Sequence, residues 1–181
     1  MIDYRKHFQS FCEQTGLDLD LSFAMPIGYQ TANGTYDHET KTVYINVDLL
    51  QDAPDYEQAF YLYHELRHAW QYARPEDFAP SVGRSLPYTI MYDGTCYKLV
   101  SGRYVECKLE GGDLDFAALY LGQPYEVDAN EYAYEQVKER LGDHEGLRRL
   151  FAFWTPRQTI PSATYEAVYA EIDAKTQEKS R

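Results

Sequence analysis

The sequence predicts an α+β fold: a small antiparallel or mixed sheet packed on one central helix, with further helices toward the C-terminus and a β-hairpin inserted at about 95–109. Three observations carry this. Residues 55–73 hold a helical apolar pattern around His64-Glu65-Leu66-Arg67-His68. β-rich runs with turn residues lie before and after that stretch. From Pro124 onward the spacing is helical again. At 181 residues the chain reads as a single domain over 1–181, long enough for a hydrophobic core.

Taken in order, Asp3 to about Thr15 reads as a helix. Tyr4, Phe8 and Phe11 or Cys12 share one face, and Gly16 stops it. Leu19–Ala24 is a short strand candidate, broken by Pro26. Residues 28–32, Asn33-Gly34 and Thr35–Asp37 read as strand, turn and strand, because Asn-Gly favours a two-residue hairpin turn. His38–Lys41 is a second, polar turn with His38 solvated, and Thr42–Asn46 is the next strand. That strand is a candidate sheet edge able to pair with an extended peptide; an interior position is the alternative.

The central helix opens near Asp55, read as an N-cap with Gln58 completing a capping box after Pro54. It closes at Arg74-Pro75, since the residue before proline avoids the α region. Leu62, Leu66, Ala69 and Ala73 form one apolar face; Phe60, His64 and His68 form another. His64 and His68 stand one turn apart and point the same way, the H-E-x-x-H pattern. Two neutral imidazoles so placed can hold one metal ion. Glu65, further round the helix, is then the candidate general base for a water at that ion. Arg67 points away and is given a surface role.

Downstream, Thr95–Val100 and Arg103–Leu109 flank Ser101-Gly102 as a hairpin, ended by Gly111-Gly112. A two-residue loop places Cys96 opposite Cys107, which are read as reduced thiols, a cross-strand disulfide or a second metal site. Asp113–Leu121 is a short helix. Pro124–Leu141 is a helix with proline in its first turn, Glu126 and Asp128 near its N-terminal dipole, and Gly142 as stop. Asp143–Trp154 is helical, and Ser162 opens a final helix with Tyr165, Val168, Tyr169 and Ile172 inward. The tail from Lys175 is expected to fray.

The net charge of −12 argues against nucleic acid and an anionic membrane surface as partners, because both want clustered lysine and arginine. Three cysteines, an odd number, make no disulfide framework. Met1–Lys6 is polar at once and no apolar run approaches a membrane span, so a reducing, cytoplasmic setting is expected. The 18 tyrosines serve either packing or a cleft that grips peptide.

A catalytic zinc usually keeps three protein ligands and one open position. Gln71 and Arg74 stand where a glycine and a third histidine would extend the first motif, so the remaining ligand is sought on a later helix. Glu126 is the favoured candidate, with Asp128 and Glu131 as rivals. Ala129 and Ala133 allow the two helices to approach closely, and Asn130 is placed to hold a ligand by a hydrogen bond.

His64–His68 taken with Glu126, Ala129, Asn130, Tyr132 and Ala133 resembles the short metallopeptidases of the glutamate-zincin type. Within that type it is most similar to the ImmA/IrrE-like family and to zincin-like proteins of phages and mobile elements. Gly34–Asp37 and Thr42–Asn46 resemble the family's small sheet, so the resemblance covers about residues 28 to 135. It implies a compact zincin-like fold, zinc held by His64, His68 and Glu126, and Glu65 as base. Two departures stand out. Glu126 follows His68 by 58 residues (126 − 68), a longer gap than usual, and Asn130 occupies a position where many relatives carry aspartate. The expected function is a zinc-dependent endopeptidase acting on peptide or protein, with an oxyanion donor unassigned among the tyrosines. A metal-binding regulatory or interaction protein and a hydrolase of another substrate are the alternatives.

Overall fold

Asp3 opens the first helix, α1 (Tyr4–Thr15): its carboxylate accepts the Lys6 N–H, and Gly16 closes the helix in the left-handed region at φ 67°. The computed structural model describes residues 1–110 and 115–179. Three strands follow, β1 (Asp20–Ser22), β2 (Gly34–Asp37) and β3 (Thr42–Ile45), in the order β1-β3-β2. β1 runs parallel to β3 and β2 antiparallel to it, so the sheet is mixed.

Two sequence expectations fail here. The strand expected over 28–32 is instead a pair of turns, closed by Tyr29 N–H to Pro26 O and Ala32 N–H to Tyr29 O. Asn46 Nδ2 donates to the carbonyls of both Gln30 and Ala32, so a side chain takes acceptors that a ladder would have used. The hairpin turn is therefore 38–41, with Lys41 at φ 53°, and not Asn33-Gly34. Secondly, β3 is the middle strand, with Val43 and Ile45 wholly buried. The edge expected at Thr42–Asn46 is an interior position, and β2 is the edge beside the central helix. Asn46 leaves β3 to cap the one-turn helix α2 (Val47–Leu50).

The central helix is α3 (Asp55–Ala73). Leu62, Leu66 and Ala69 are wholly buried, as their spacing predicts, while Ala73 is exposed at its end. The expected capping box does not form. Pro54 is the N-cap, Asp55 pairs with the N-terminal amine at 2.8 Å, and buried Gln58 accepts from Ile2 N–H and donates to Ala53 O. Holding the N-terminal segment against the core removes both side chains from capping duty.

A 3₁₀ turn (Pro75–Asp77) and helix α4 (Pro80–Ser85) lead to a second sheet of β4 (Tyr88–Ile90), β5 (Thr95–Val100) and β6 (Arg103–Lys108), antiparallel in that order. Ser101 and Gly102, at φ 51° and 80°, make the two-residue turn, and Cys96 stands opposite Cys107 as predicted. Both carry thiols, with no disulfide between them. The hairpin is not a bare insertion: β4 joins it. Helices α5 (Phe116–Leu121) and α8 (Ser162–Lys179) cover the sheet through Leu119, Tyr165, Val168, Tyr169 and Ile172. The Gly111-Gly112 stop and the helix start at Asp113 lie outside the described residues; α5 starts at Phe116, capped by Asp115.

Helix α6 (Pro124–Leu141) packs along α3, with Ala129 and Ala133 wholly buried between them, and α7 (Glu145–Trp154) follows it. α8 is helical through Lys179, with buried Thr176 donating its hydroxyl to Ile172 O; the last two positions of the tail expected to fray lie outside the described residues. Among the described residues no helix is long and apolar enough to cross a membrane.

Candidate metal centre

The i, i+4 spacing on α3 and the close packing of α6 bring three side chains to one point. His64 Nε2 and His68 Nε2 lie 2.9 Å apart, and Glu126 Oε2 is 3.3 Å from the first and 3.6 Å from the second. Tetrahedral ligands at about 2.0–2.1 Å from one ion stand about 3.3 Å apart, so this nitrogen, nitrogen, oxygen set fits a single divalent cation. Among the described residues, no other group of three His, Cys, Asp or Glu side chains converges in this way. The Cys96–Cys107 pair therefore belongs to no such cluster.

The rival acids go elsewhere. Asp128 is taken by Arg67, whose Nε and Nη2 donate to its two oxygens at 2.7 and 3.0 Å, and Glu131 is exposed. Arg67 is thus not a surface residue. It is half-buried, and its guanidinium lies over the rings of Trp70, Phe78 and Tyr132. The hydrogen bond expected from Asn130 to a ligand is also absent: Asn130 Nδ2 donates to Trp154 O. Gln71 does that work. Its Oε1 is 2.8 Å from His68 Nδ1, while its Nε2 donates to Asp128 Oδ2 at 2.7 Å and to Tyr125 O at 2.9 Å. With Nε2 committed as donor, Oε1 is the acceptor, which puts a proton on His68 Nδ1 and leaves Nε2, the nitrogen nearest Glu126, as the atom that can exchange its proton for a metal. The i, i+3 spacing of His68 and Gln71 is the sequence signal that could have found it.

Electrostatics follow from burial and from these neighbours. Burial works against a charge on His68, yet Glu126 overrides it and raises the imidazole to about 9. Burial alone would raise Glu126; His68 and His64 reverse this and hold it well below the usual carboxylate range. Glu65 stands outside the trio. Burial pushes its carboxyl above the ordinary value, against the pull of His64 and His68 and a hydrogen bond from Tyr36 N–H.

Glu65 lies against β2. A Cβ on Gly34 would come within 2.8 Å of Glu65 Cγ and 3.1 Å of Tyr44 O, so only glycine lets strand and helix approach this closely. Asn46 N–H donates to Asn33 O, which by antiparallel alternation turns the main-chain groups of Gly34 and Tyr36 away from β3 and toward the cleft. The cleft holds about 240 Å³, and Gly34, Phe60, His64, Glu65, Glu126, Tyr92 and Tyr120 are among the residues that line it. The rings of those two tyrosines lie 4.2 Å apart between centroids, tilted by 36°. Burial raises the Tyr120 hydroxyl far above the usual phenol value, and Glu126, Tyr92 and Glu65 add to it, which places that hydroxyl in the field of the centre.

His38, expected to be solvated, is half-buried in its turn, stacked on Tyr72 and edge-on to Tyr104 of β6. The hairpin thereby touches the first sheet beyond the end of β2. Comparison of the chain with protein families, curated proteins and solved structures found no match.

Proposed function

We propose that this protein is a zinc-dependent endopeptidase of the glutamate-zincin type, with zinc held by His64, His68 and Glu126. The observation that supports it best is the meeting of those three donors beside a separate carboxylate, Glu65, that rests against a sheet edge. When bound, the metal supplies a Lewis acid that polarises a carbonyl and acidifies water toward a pKa of about 7.

The chain's own groups do the rest. An extended peptide pairs with the outward main-chain groups of Gly34 on β2, which lays its carbonyl over the trio. Glu65, buried and with raised proton affinity, takes a proton from the attacking water and delivers it to the leaving amine. Tyr36 N–H fixes the orientation of that carboxylate. The Tyr92–Tyr120 pair, which lines the same cleft as Glu65 and Glu126, supplies the O–H donor for the charge that develops on the carbonyl oxygen.

The test is Glu65→Gln. The variant is expected to bind zinc like the parent while chelator-sensitive cleavage of a mixed peptide library falls by about two orders of magnitude or more. Turnover equal to the parent's removes Glu65 from the reaction. Tight zinc binding with no cleavage by the parent moves the protein to the class of metal-binding interaction proteins.

A further inference from the structure

One wall of the cleft has a chemistry that the bond-breaking step does not use. Phe60 and Tyr61 come from the turn of α3 that precedes His64, and Trp154 closes the wall from the end of α7. Their rings meet edge to face, with centroids 5.9 Å apart for Phe60–Tyr61 and 6.2 Å for Tyr61–Trp154. Among the described residues that line the cleft there is no lysine or arginine, and the carboxylates are those of Glu65 and Glu126. Asn130 completes the wall and is only 4% exposed. Its Nδ2 is committed to Trp154 O at 3.2 Å, while its Oδ1 is buried with no partner among the described residues. A buried acceptor without a donor is costly, and an incoming main-chain N–H is the group that an extended peptide brings.

Resting on the peptidase reading above, we propose that this wall is a specificity subsite. It seats a bulky apolar side chain, aromatic or long aliphatic, of the residue flanking the scissile bond on the α6–α7 side, and Asn130 Oδ1 accepts a main-chain N–H of the same segment. Aromatic edges and faces reward such a side chain. An acidic one is rejected, because it would give up its hydration against aromatic rings and beside Glu65, with no lysine or arginine among the described lining residues to pair with.

The zinc-loaded full chain is incubated with a proteome-derived peptide mixture, and the cleavage sites are mapped by mass spectrometry with the chelator-treated protein and Glu65→Gln as controls. Phe, Tyr, Trp, Leu and Met are expected at one fixed side of the cleaved bond with at least about 10-fold enrichment over Asp and Glu, the scale on which an apolar pocket discriminates. Glu65-dependent cleavage with a flat or acid-enriched profile overturns the subsite and leaves the peptidase standing. A second measurement is independent of turnover. Quenching of tryptophan fluorescence in zinc-loaded Glu65→Gln reads the affinity for blocked Ala-Ala-Phe-Ala-Ala and blocked Ala-Ala-Glu-Ala-Ala. The first peptide is expected to bind at least about 10-fold tighter. Read by calorimetry, Trp154→Ala in the same background is expected to erase that difference, since Asn130 is held by the main-chain oxygen of residue 154 and survives the change. Equal affinity of the two peptides overturns the subsite whether or not the parent cleaves anything.

Discussion

Arg67 and Asp128 form a two-pronged pair across the α3–α6 contact, at 2.7 and 3.0 Å, and Gln71 shares the same carboxylate. Through Gln71 the pair reaches His68 Nδ1, so an arginine on one helix and an aspartate on the other orient an imidazole that neither touches. The guanidinium is packed among three rings, which lowers the local dielectric and strengthens its hold on the carboxylate.

This relay predicts a loss of metal affinity away from the ligands. Gln71→Leu is expected to weaken zinc binding by about 10- to 100-fold, and Arg67→Met by less, in a competition titration against a chromophoric chelator. Parental affinity in both variants, with only a lower melting temperature, would make the relay a clamp between helices and nothing more.

The tyrosine pair predicts a kinetic signature. Tyr120→Phe keeps the ring contact with Tyr92 and removes one hydroxyl. For a peptide that the parent cleaves, kcat is expected to fall by about 10²-fold, with KM changed little, since the missing donor acts on charge formed in the reaction. A change confined to KM would assign Tyr120 to substrate binding.

Gly34 predicts a steric effect on the base. Gly34→Ala forces the new methyl against Glu65 Cγ and Tyr44 O, so either the carboxylate or the strand must shift. A stability loss of about 1–3 kcal/mol is expected by chemical denaturation, and cleavage falls more than the unfolded fraction explains. A variant as stable and as active as the parent would mean that Glu65 has room to move.

Cys96 is wholly buried, and burial, with Cys107 and Glu171 nearby, pushes its thiol up to about 12. Its ordinary value is 9.0, so from that pH up to about 12 the unfolded chain ionises first. This contribution to stability is present below 9.0 and is lost as pH rises toward 12. Iodoacetamide at pH 8.5 is expected to modify Cys12 first and Cys96 only when guanidinium unfolds the protein, as peptide mapping would read. Labelling of native Cys96 at the rate of Cys12 would contradict that burial.

The sequence by itself determined what depends on near neighbours along the chain. Asp3 and Gly16 bounded α1, Pro124 and Gly142 bounded α6, the two-residue loop set Cys96 against Cys107, and the four-residue step put His64 and His68 on one helix face. Each follows from dihedral preference or helical period, which act within a few residues. Only the tertiary structure decided which strand is the edge, because β1 takes the far side of β3 through a parallel pairing that no local signal encodes. It likewise chose Glu126 over Asp128: α6 turns Ala129 and Ala133 toward α3, Glu126 shares that face, and Asp128, two positions on, swings round to Arg67. The placing of Gln71, Tyr120 and Asn130 was settled in the same way, by which helix faces meet, and that is fixed by packing across tens of residues and not by the neighbours of any one of them.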